Sequence, residues 1–235
     1  MQQPISRKNI WEMFNTISRR YDTINRILSL GQDKSWRKKM AKQLPRKDMI
    51  HLLDLATGTA DQIISLFENS PQIEKAVGID MAEKMIALAK KKMAPKPFSG
   101  KVKFLCANAE ELPFEDDMFD VVTISFGIRN FENKEKALKE IHRVLKKEGR
   151  LLILEFSLPP HQVMKKFHLF YLRHILPIIG GMLSKSKKSY EYLNQTIETF
   201  PYGKDFLNLL KEHNFRKPSS KPLFFGAVSL YQADK

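Results

Sequence analysis

Between residues 50 and 156, short apolar runs alternate with longer segments of helical spacing, and this alternation restricts the fold more than any other feature of the chain. The runs are H-L-L-D-L at 51–55, K-A-V-G-I at 75–79, V-K-F-L-C at 102–106, F-D-V-V-T-I-S at 119–125 and R-L-L-I-L-E-F at 150–156. Among the segments between them, E-K-M-I-A-L-A-K-K-K-M at 83–93 and K-E-K-A-L-K-E-I-H-R-V-L-K at 134–146 have the apolar spacing of amphipathic helices. Parallel neighbours need a crossover long enough to hold a helix, so the pattern predicts a parallel sheet wrapped by right-handed crossovers. K-P-L-F-F-G-A-V-S-L-Y-Q at 221–232 predicts two further strands meeting near Gly226. No repeat or low-complexity linker divides the 235 residues, so a single domain over 1–235 is expected, with a helical cover over 1–45 and a helical lid or insertion over 160–200.

In such a sheet ligands bind beyond the carboxyl ends of the strands. The first strand runs into D-L-A-T-G-T-A-D at 54–61, where Gly58 permits a sharp turn and close approach of backbone N–H groups to a ligand. The second strand ends in G-I-D, placing Asp80 22 residues beyond Gly58, a spacing that suits a carboxylate accepting from both hydroxyls of a ribose. After the third strand, Asn108 and the backbone that follows are placed to read an adenine edge. The loop T-G-T-A at 57–60 lacks the second and third glycines that a dinucleotide pyrophosphate requires, and no G-x-x-x-x-G-K-[ST] loop is present. A ribose-binding acid without pyrophosphate machinery fits S-adenosylmethionine better than NAD or ATP.

The formal charge of +14 implies an anionic partner, such as nucleic acid, a membrane surface or an acidic metabolite. The single cysteine, Cys106, excludes an internal disulfide and a cysteine-based zinc cage, and on a strand it reads as a small buried hydrophobe. The six histidines show no metal-ligand spacing, so no metal is expected. M-Q-Q-P-I-S-R-K-N at the start has no apolar h-region, which predicts a cytoplasmic protein.

Residues 124–131, I-S-F-G-I-R-N-F, form an apolar strand end closed by Arg129 and Asn130. The simpler reading of Arg129 is an ion pair with an acid such as Glu132; the functional reading is a group positioned for a substrate.

The chain resembles the ubiquinone/menaquinone biosynthesis C-methyltransferases, which methylate demethylmenaquinol or a related methoxy-polyprenyl-benzoquinol. The resemblance begins with M-F-N-T-I-S-R-R-Y-D-T-I-N at 13–25, L-S-L-G at 28–31 and W-R at 36–37. It continues through D-L-A-T-G-T-A-D, G-I-D, A-E-E-L-P-F at 109–114 and D-V-V-T-I-S-F-G-I-R-N at 120–130, and on to Y-E-Y-L at 190–193 and Phe200-Pro201. S-F-G-I-R-N and R-Y-D-x-x-N are its specific stretches.

The resemblance implies a class I S-adenosylmethionine-dependent methyltransferase fold, a Rossmann-like seven-stranded, mostly parallel sheet with helices on both faces. It implies a cofactor site at Thr59, Asp80, Asn108, Ala109 and Ser125, beside Gly58, and a polyprenylated quinol as acceptor. In the chemistry it implies, Arg129 stabilises the phenolate and Asn130 holds a ring oxygen. Asp61 is the expected base, and Tyr21 orients the quinol. Ala82 departs from the family's small hydroxyl residue and predicts a helix without a side-chain N-cap.

The apolar segment 161–188 is interrupted by Arg173, His174 and Pro177, which argues against a membrane span. It reads as a lid for an isoprenoid tail, and its flanking Lys165, Lys166, Lys185, Lys187 and Lys188 are expected to touch anionic lipid at the inner face of a membrane. A methyltransferase of this fold acting on nucleic acid is the rival class. The strand-four end lacks [ND]-P-P-[YFW], and Cys106 follows Leu105, where a 5-methylcytosine nucleophile typically follows proline, so no nucleic-acid partner is expected.

Overall fold

The computed structural model describes residues 10–175 and 187–235. Helices α1 (Ile10–Leu28) and α2 (Gln32–Ala41) precede β1 (Ile50–Leu55), α3 (Asp61–Asn69), β2 (Ile73–Asp80), α4 (Glu83–Met93), β3 (Val102–Cys106) and β4 (Phe119–Ser125). Then follow α5 (Lys134–Val144), β5 (Leu145–Phe156), α6 (Gln162–Phe170) continued by a π-helical turn (Tyr171–Ile175), α7 (Lys187–Thr199), α8 (Lys204–Glu212), β6 (Arg216–Leu223) and β7 (Val228–Asp234). The strands form one seven-stranded sheet in the order β3-β2-β1-β4-β5-β7-β6. β1 to β5 run parallel, and β7 runs antiparallel to both of its neighbours.

Alternation along each strand feeds two cores. On one face Leu52, Val121, Leu152 and Leu230 pack with Met40, Ile63, Leu66 and Ala89 from the helices. On the other, Leu53, Val122, Ile124 and Ile153 pack with Leu138, Ile141, Phe206 and Leu210. β1 and β4 lie at the centre with both faces covered, which is why they read as continuous apolar runs. A Cβ on Gly78 in β2 would lie 2.8 Å from Ile63 Cδ1, so the absence of a side chain there lets α3 sit close to the sheet.

Two expectations are corrected, and the one for Ala82 is met. The helical segment read to residue 146 ends at Val144, because Leu145 already adopts extended backbone and pairs with Phe119. The register then shifts before Arg150 meets Val121, with Glu148 at φ 63. Cys106 is exposed and not buried, at the end of β3, an edge strand of the sheet. Its Sγ reaches the Met81 carbonyl at 3.4 Å. α4 has no side-chain cap at Ala82; the Ala82 N–H donates instead to Asp80 Oδ1 at 2.9 Å. Among the described residues no helix is long and apolar enough to cross a membrane.

Candidate functional site

Two cavities lie at the carboxyl ends of β1, β2 and β4, with α1 laid across both. The smaller is built on the loop after β1. Ala56, Gly58 and Ala60 there have φ of 51, 55 and 68°, so the chain turns in left-handed steps and aims successive N–H groups toward β2. The Gly58 N–H donates to Asp80 Oδ2 at 2.9 Å. Both Asp80 oxygens thus hold backbone amides, and the carboxylate keeps acceptor capacity for a further donor. Burial raises the Asp80 pKa above the usual carboxylate range, against the pull of the Ala82, Gly58 and Met81 amides. Ile79, Met85, Asn108 and Ala109 complete the wall, with Asn108 Oδ1 accepting from the Glu110 N–H at 3.0 Å. A carboxylate with spare lone pairs at one end and an apolar slot leading to an amide side chain suit a nucleoside.

Beneath this loop, Asp54 is fully buried between the Thr57 and Thr123 hydroxyls, both of which donate to it. Burial pushes its pKa up to about 6 despite those two bonds. The Asp54–Thr57 contact, at 2.7 Å, helps fix the start of the turn.

Thr59, Asp61 and Ser125 line neither cavity. Thr59 Oγ1 donates to Asp22 of α1 at 2.6 Å, and Lys92 of α4 bridges Asp22, Thr59 and Asp61. Arg26 stands 4.0 Å from Asp61. Burial acts to raise the Asp61 pKa, but Arg37, Lys92 and Arg26 outweigh it and hold the carboxyl below its ordinary value. Asp61 is therefore a weak base committed to the seam between α1, α3 and α4. Ser125 Oγ donates to Gln62 Oε1 at 2.8 Å.

The larger cavity is apolar and shares Phe14, Tyr21 and Phe126 with the smaller one. At the exit of β4, Phe126 has φ 60°, a strained conformation for an aromatic residue, and it faces both spaces. Arg129 holds that turn. Its Nη1 donates to the Phe126 carbonyl and to Glu155 Oε1, each at 2.6 Å. Glu155, with no exposed surface, also accepts the Arg129 and Phe156 amides at 3.3 and 2.8 Å. The partner of Arg129 is thus Glu155 at the end of β5 and not Glu132, which lies on the wall of the smaller cavity. Tyr21 sits where the cavities meet, and burial raises its phenol pKa against Asn25, Arg129 and Arg37. Asn130 faces the smaller cavity and accepts from the Tyr192 hydroxyl at 3.2 Å.

Among the described residues, buried side-chain polar atoms without a hydrogen-bond partner occur at Arg37 Nε, Gln62 Nε2, Arg129 Nε, His168 Nε2 and Asn194 Oδ1. Arg37, Arg129 and His168 all line the larger cavity, so its greasy wall keeps polar capacity in reserve. Burial lowers the His168 pKa, leaving a neutral imidazole at pH 7. The sequence reading gave no role to Asp54, Phe126, Glu155, Arg37 or His168. Glu155 carried a usable signal, a lone acid closing the apolar run R-L-L-I-L-E-F, the counterpart of the arginine that closes β4.

Comparison with known proteins agrees with this geometry. The model of the ubiE/COQ5 methyltransferase family matches residues 2–235. A ubiquinone/menaquinone biosynthesis C-methyltransferase UbiE of Geotalea daltonii is 38% identical over 228 residues, covering 97% of each chain. A demethylmenaquinone methyltransferase of Chlorobaculum tepidum is 40% identical over 237 residues, covering 99% of this chain and 95% of its own. Among solved structures, a SAM-dependent methyltransferase from Thermotoga maritima superposes with a TM-score of 0.64 at 18% identity, covering 96% of this chain and 99% of that one, which establishes the shared fold.

The buried Arg129–Glu155 pair yields a stability prediction. Arg129→Met strands an uncompensated carboxylate in the wall and should cost about 3–5 kcal/mol in urea unfolding. Arg129→Met combined with Glu155→Leu should recover most of that loss. Equal midpoints for Arg129→Met and the parent protein would rule out the pair as the strut of this turn.

Proposed function

The chain belongs to the ubiE/COQ5 methyltransferase family, and we propose that it transfers the methyl group of S-adenosylmethionine to a ring carbon of a polyprenylated quinol, with demethylmenaquinol as acceptor and menaquinol as product. The observation that carries this reading is the pairing of cavities: a nucleoside slot with a ribose acid shares a wall with an apolar chamber that keeps unspent polar groups. Menaquinone is common to the names of both relatives described above, whereas ubiquinone appears in one of them.

The fit of the donor rests on Asp80, whose free lone pairs match a ribose diol, and on Asn108 and Ala109 at the far end of the slot. When bound there, S-adenosylmethionine supplies an electrophilic methyl on a sulfonium. A phenol titrates near pH ~10, so its proton must be drawn away before the neighbouring ring carbon becomes a strong nucleophile. Tyr21 and Asn130 orient the ring at the junction of the cavities. Arg129, fixed by Glu155, holds the Phe126 turn beside the ring, and the neutral imidazole of His168 takes the hydroxyl proton. As the carbon–carbon bond forms, the carbon–sulfur bond breaks. The ring then loses its own C–H proton to solvent, and the oxygen recovers a proton from His168. Packed side chains around the junction exclude water and hold the two partners in line.

The acceptor's tail leaves through the mouth of the larger chamber, where Leu30, Phe167, Phe224 and Phe225 are exposed. Phe224 and Phe225 adopt φ of 45 and 56°, and Val163 and Phe170 of α6 add to the apolar rim. This rim is the surface that meets a membrane, where a polyprenyl tail resides. Of the lysines read as lipid contacts, Lys166 is exposed, while Lys165 is half-buried and donates to the Tyr202 hydroxyl at 3.3 Å. Lys185 and the side chains of Lys187 and Lys188 lie outside the described residues.

The function is tested with methyl-labelled S-adenosylmethionine and short-tail demethylmenaquinol kept reduced. Label is expected in the organic-extractable menaquinol. Label only in methoxy-polyprenyl-benzoquinol shifts the reading to the ubiquinone step, and label in nucleic acid refutes it. Asp80→Ala should weaken S-adenosylmethionine binding by roughly 1–3 kcal/mol in calorimetry, because the ribose hydroxyls lose their partner; unchanged affinity in a folded variant removes Asp80 from the site. Vesicle flotation tests the rim. Each of Phe167→Ser and Phe225→Ser should weaken binding about tenfold, and added salt should weaken it on anionic vesicles. Serine variants that float like the parent protein would reject the rim as the contact.

A further inference from the structure

We propose that Arg37, and not Arg129, is the guanidinium that binds the negatively charged ring oxygen of the acceptor. This rests on the acceptor being a phenolic ring, as argued above. Arg37 belongs to α2, is 8% exposed and lines the larger chamber. Its Nε is buried without a partner, and among the described residues no hydrogen bond or ion pair reaches its guanidinium. Its Cζ stands over the Phe126 ring, 5.7 Å from the centroid. Its charge is the leading one that lowers the Asp61 pKa and also acts on Asp54, but neither carboxylate makes an ion pair with it. A buried, unbonded cation is costly, and a ring face offsets little of that cost. An anion entering the chamber would complete it.

Arg129 is in the opposite position. Its charge is matched at 2.6 Å by Glu155, so the pair presents a dipole to the chamber and not a net charge. The two arginines flank one pair of rings: Arg37 lies over Phe126, Phe126 packs on Phe156 at 4.7 Å, and Arg129 lies over Phe156 at 5.2 Å. Because Phe126 also walls the nucleoside slot, Arg37 stands at the inner end of the chamber, where methyl and ring must meet. When the ring hydroxyl gives up its proton, the electron pair left on oxygen faces a guanidinium with all of its donors free. That charge then passes into the forming carbon–carbon bond. Arg129 is the positioning residue that holds the Phe126 turn.

The test uses 4-nitro-1-naphthol, whose phenol and phenolate absorb at different wavelengths, as a tailless stand-in for the acceptor ring. Bound to the parent protein, its pKa should fall by about one unit or more, as for an acid placed beside a cation. Arg37→Met should abolish that fall, Arg37→Lys should keep part of it, and the Arg129→Met, Glu155→Leu double variant should retain it. Arg37→Met should also lower kcat for quinol methylation by about 100-fold, the scale of one lost oxyanion donor. Its S-adenosylmethionine affinity should stay within about threefold of the parent's, since Arg37 lies outside the nucleoside slot. Its thermal midpoint should be no lower than the parent's, because no hydrogen bond is removed. A bound probe with an unshifted pKa in the parent protein overturns the proposal, as does a shift that survives Arg37→Met but is lost in the double variant. A methyl acceptor other than a quinol, together with an Arg37-dependent shift of the probe, would refute the substrate reading and leave the anion site standing.

Discussion

The carboxylate of Glu155 anchors the joint between the two cavities. It is wholly buried at the end of β5 and holds the Arg129 guanidinium together with two backbone amides. A charge at that depth persists only when paired and hydrogen-bonded, so the interaction forces β4 and β5 to end in fixed relation. Arg129 in turn grips the Phe126 carbonyl and keeps that residue in a left-handed conformation it would not adopt alone. One residue later, a Cβ on Gly127 would stand 2.5 Å from Ala56 Cβ, so the β4 exit and the β1 loop meet without space for a side chain. The two cavities therefore meet at one closely packed joint and share Phe14, Tyr21 and Phe126 as their common wall.

The N-terminal helix closes this joint from above. Asp22 of α1 meets Thr59 of the β1 loop and Lys92 of α4, and Lys92 also takes Asp61. These pairs are partly exposed, so each contributes little free energy, but together they fix the helix in one register. That register sets Phe14 and Tyr21 over the boundary between the cavities. Asp61, expected from the sequence as a base, lies in this seam, and its depressed pKa follows from the Arg37, Lys92 and Arg26 cations around it.

Much of the architecture was legible before any coordinates. The apolar runs of β1 and β4 announced central strands because both of their faces are covered, and the 22-residue step from Gly58 to Asp80 announced their meeting because strand, crossover helix and strand occupy a fixed length of chain. Local signals failed where partners come from distant segments. Glu132 was the obvious acid for Arg129 by proximity in sequence, yet Glu155 lies 26 residues away and is brought to it by the pairing of β4 with β5. Cys106 read as buried because a strand pattern does not reveal that its strand is an edge.

What the sequence determined by itself was periodic and local: strands and helices in alternation, a left-handed turn at Gly58, and an acid at the end of β2. Only the tertiary structure decided which charges are balanced. Arg37 and Arg129 look alike as residues, each a basic side chain beside apolar neighbours. Folding gives Arg129 a carboxylate from β5 and leaves Arg37 over an aromatic face without a hydrogen-bonded carboxylate. Pairing of charges depends on distances of a few ångströms between segments far apart in the chain, because Coulomb attraction and desolvation both change steeply over that range, and no spacing along the sequence encodes those distances.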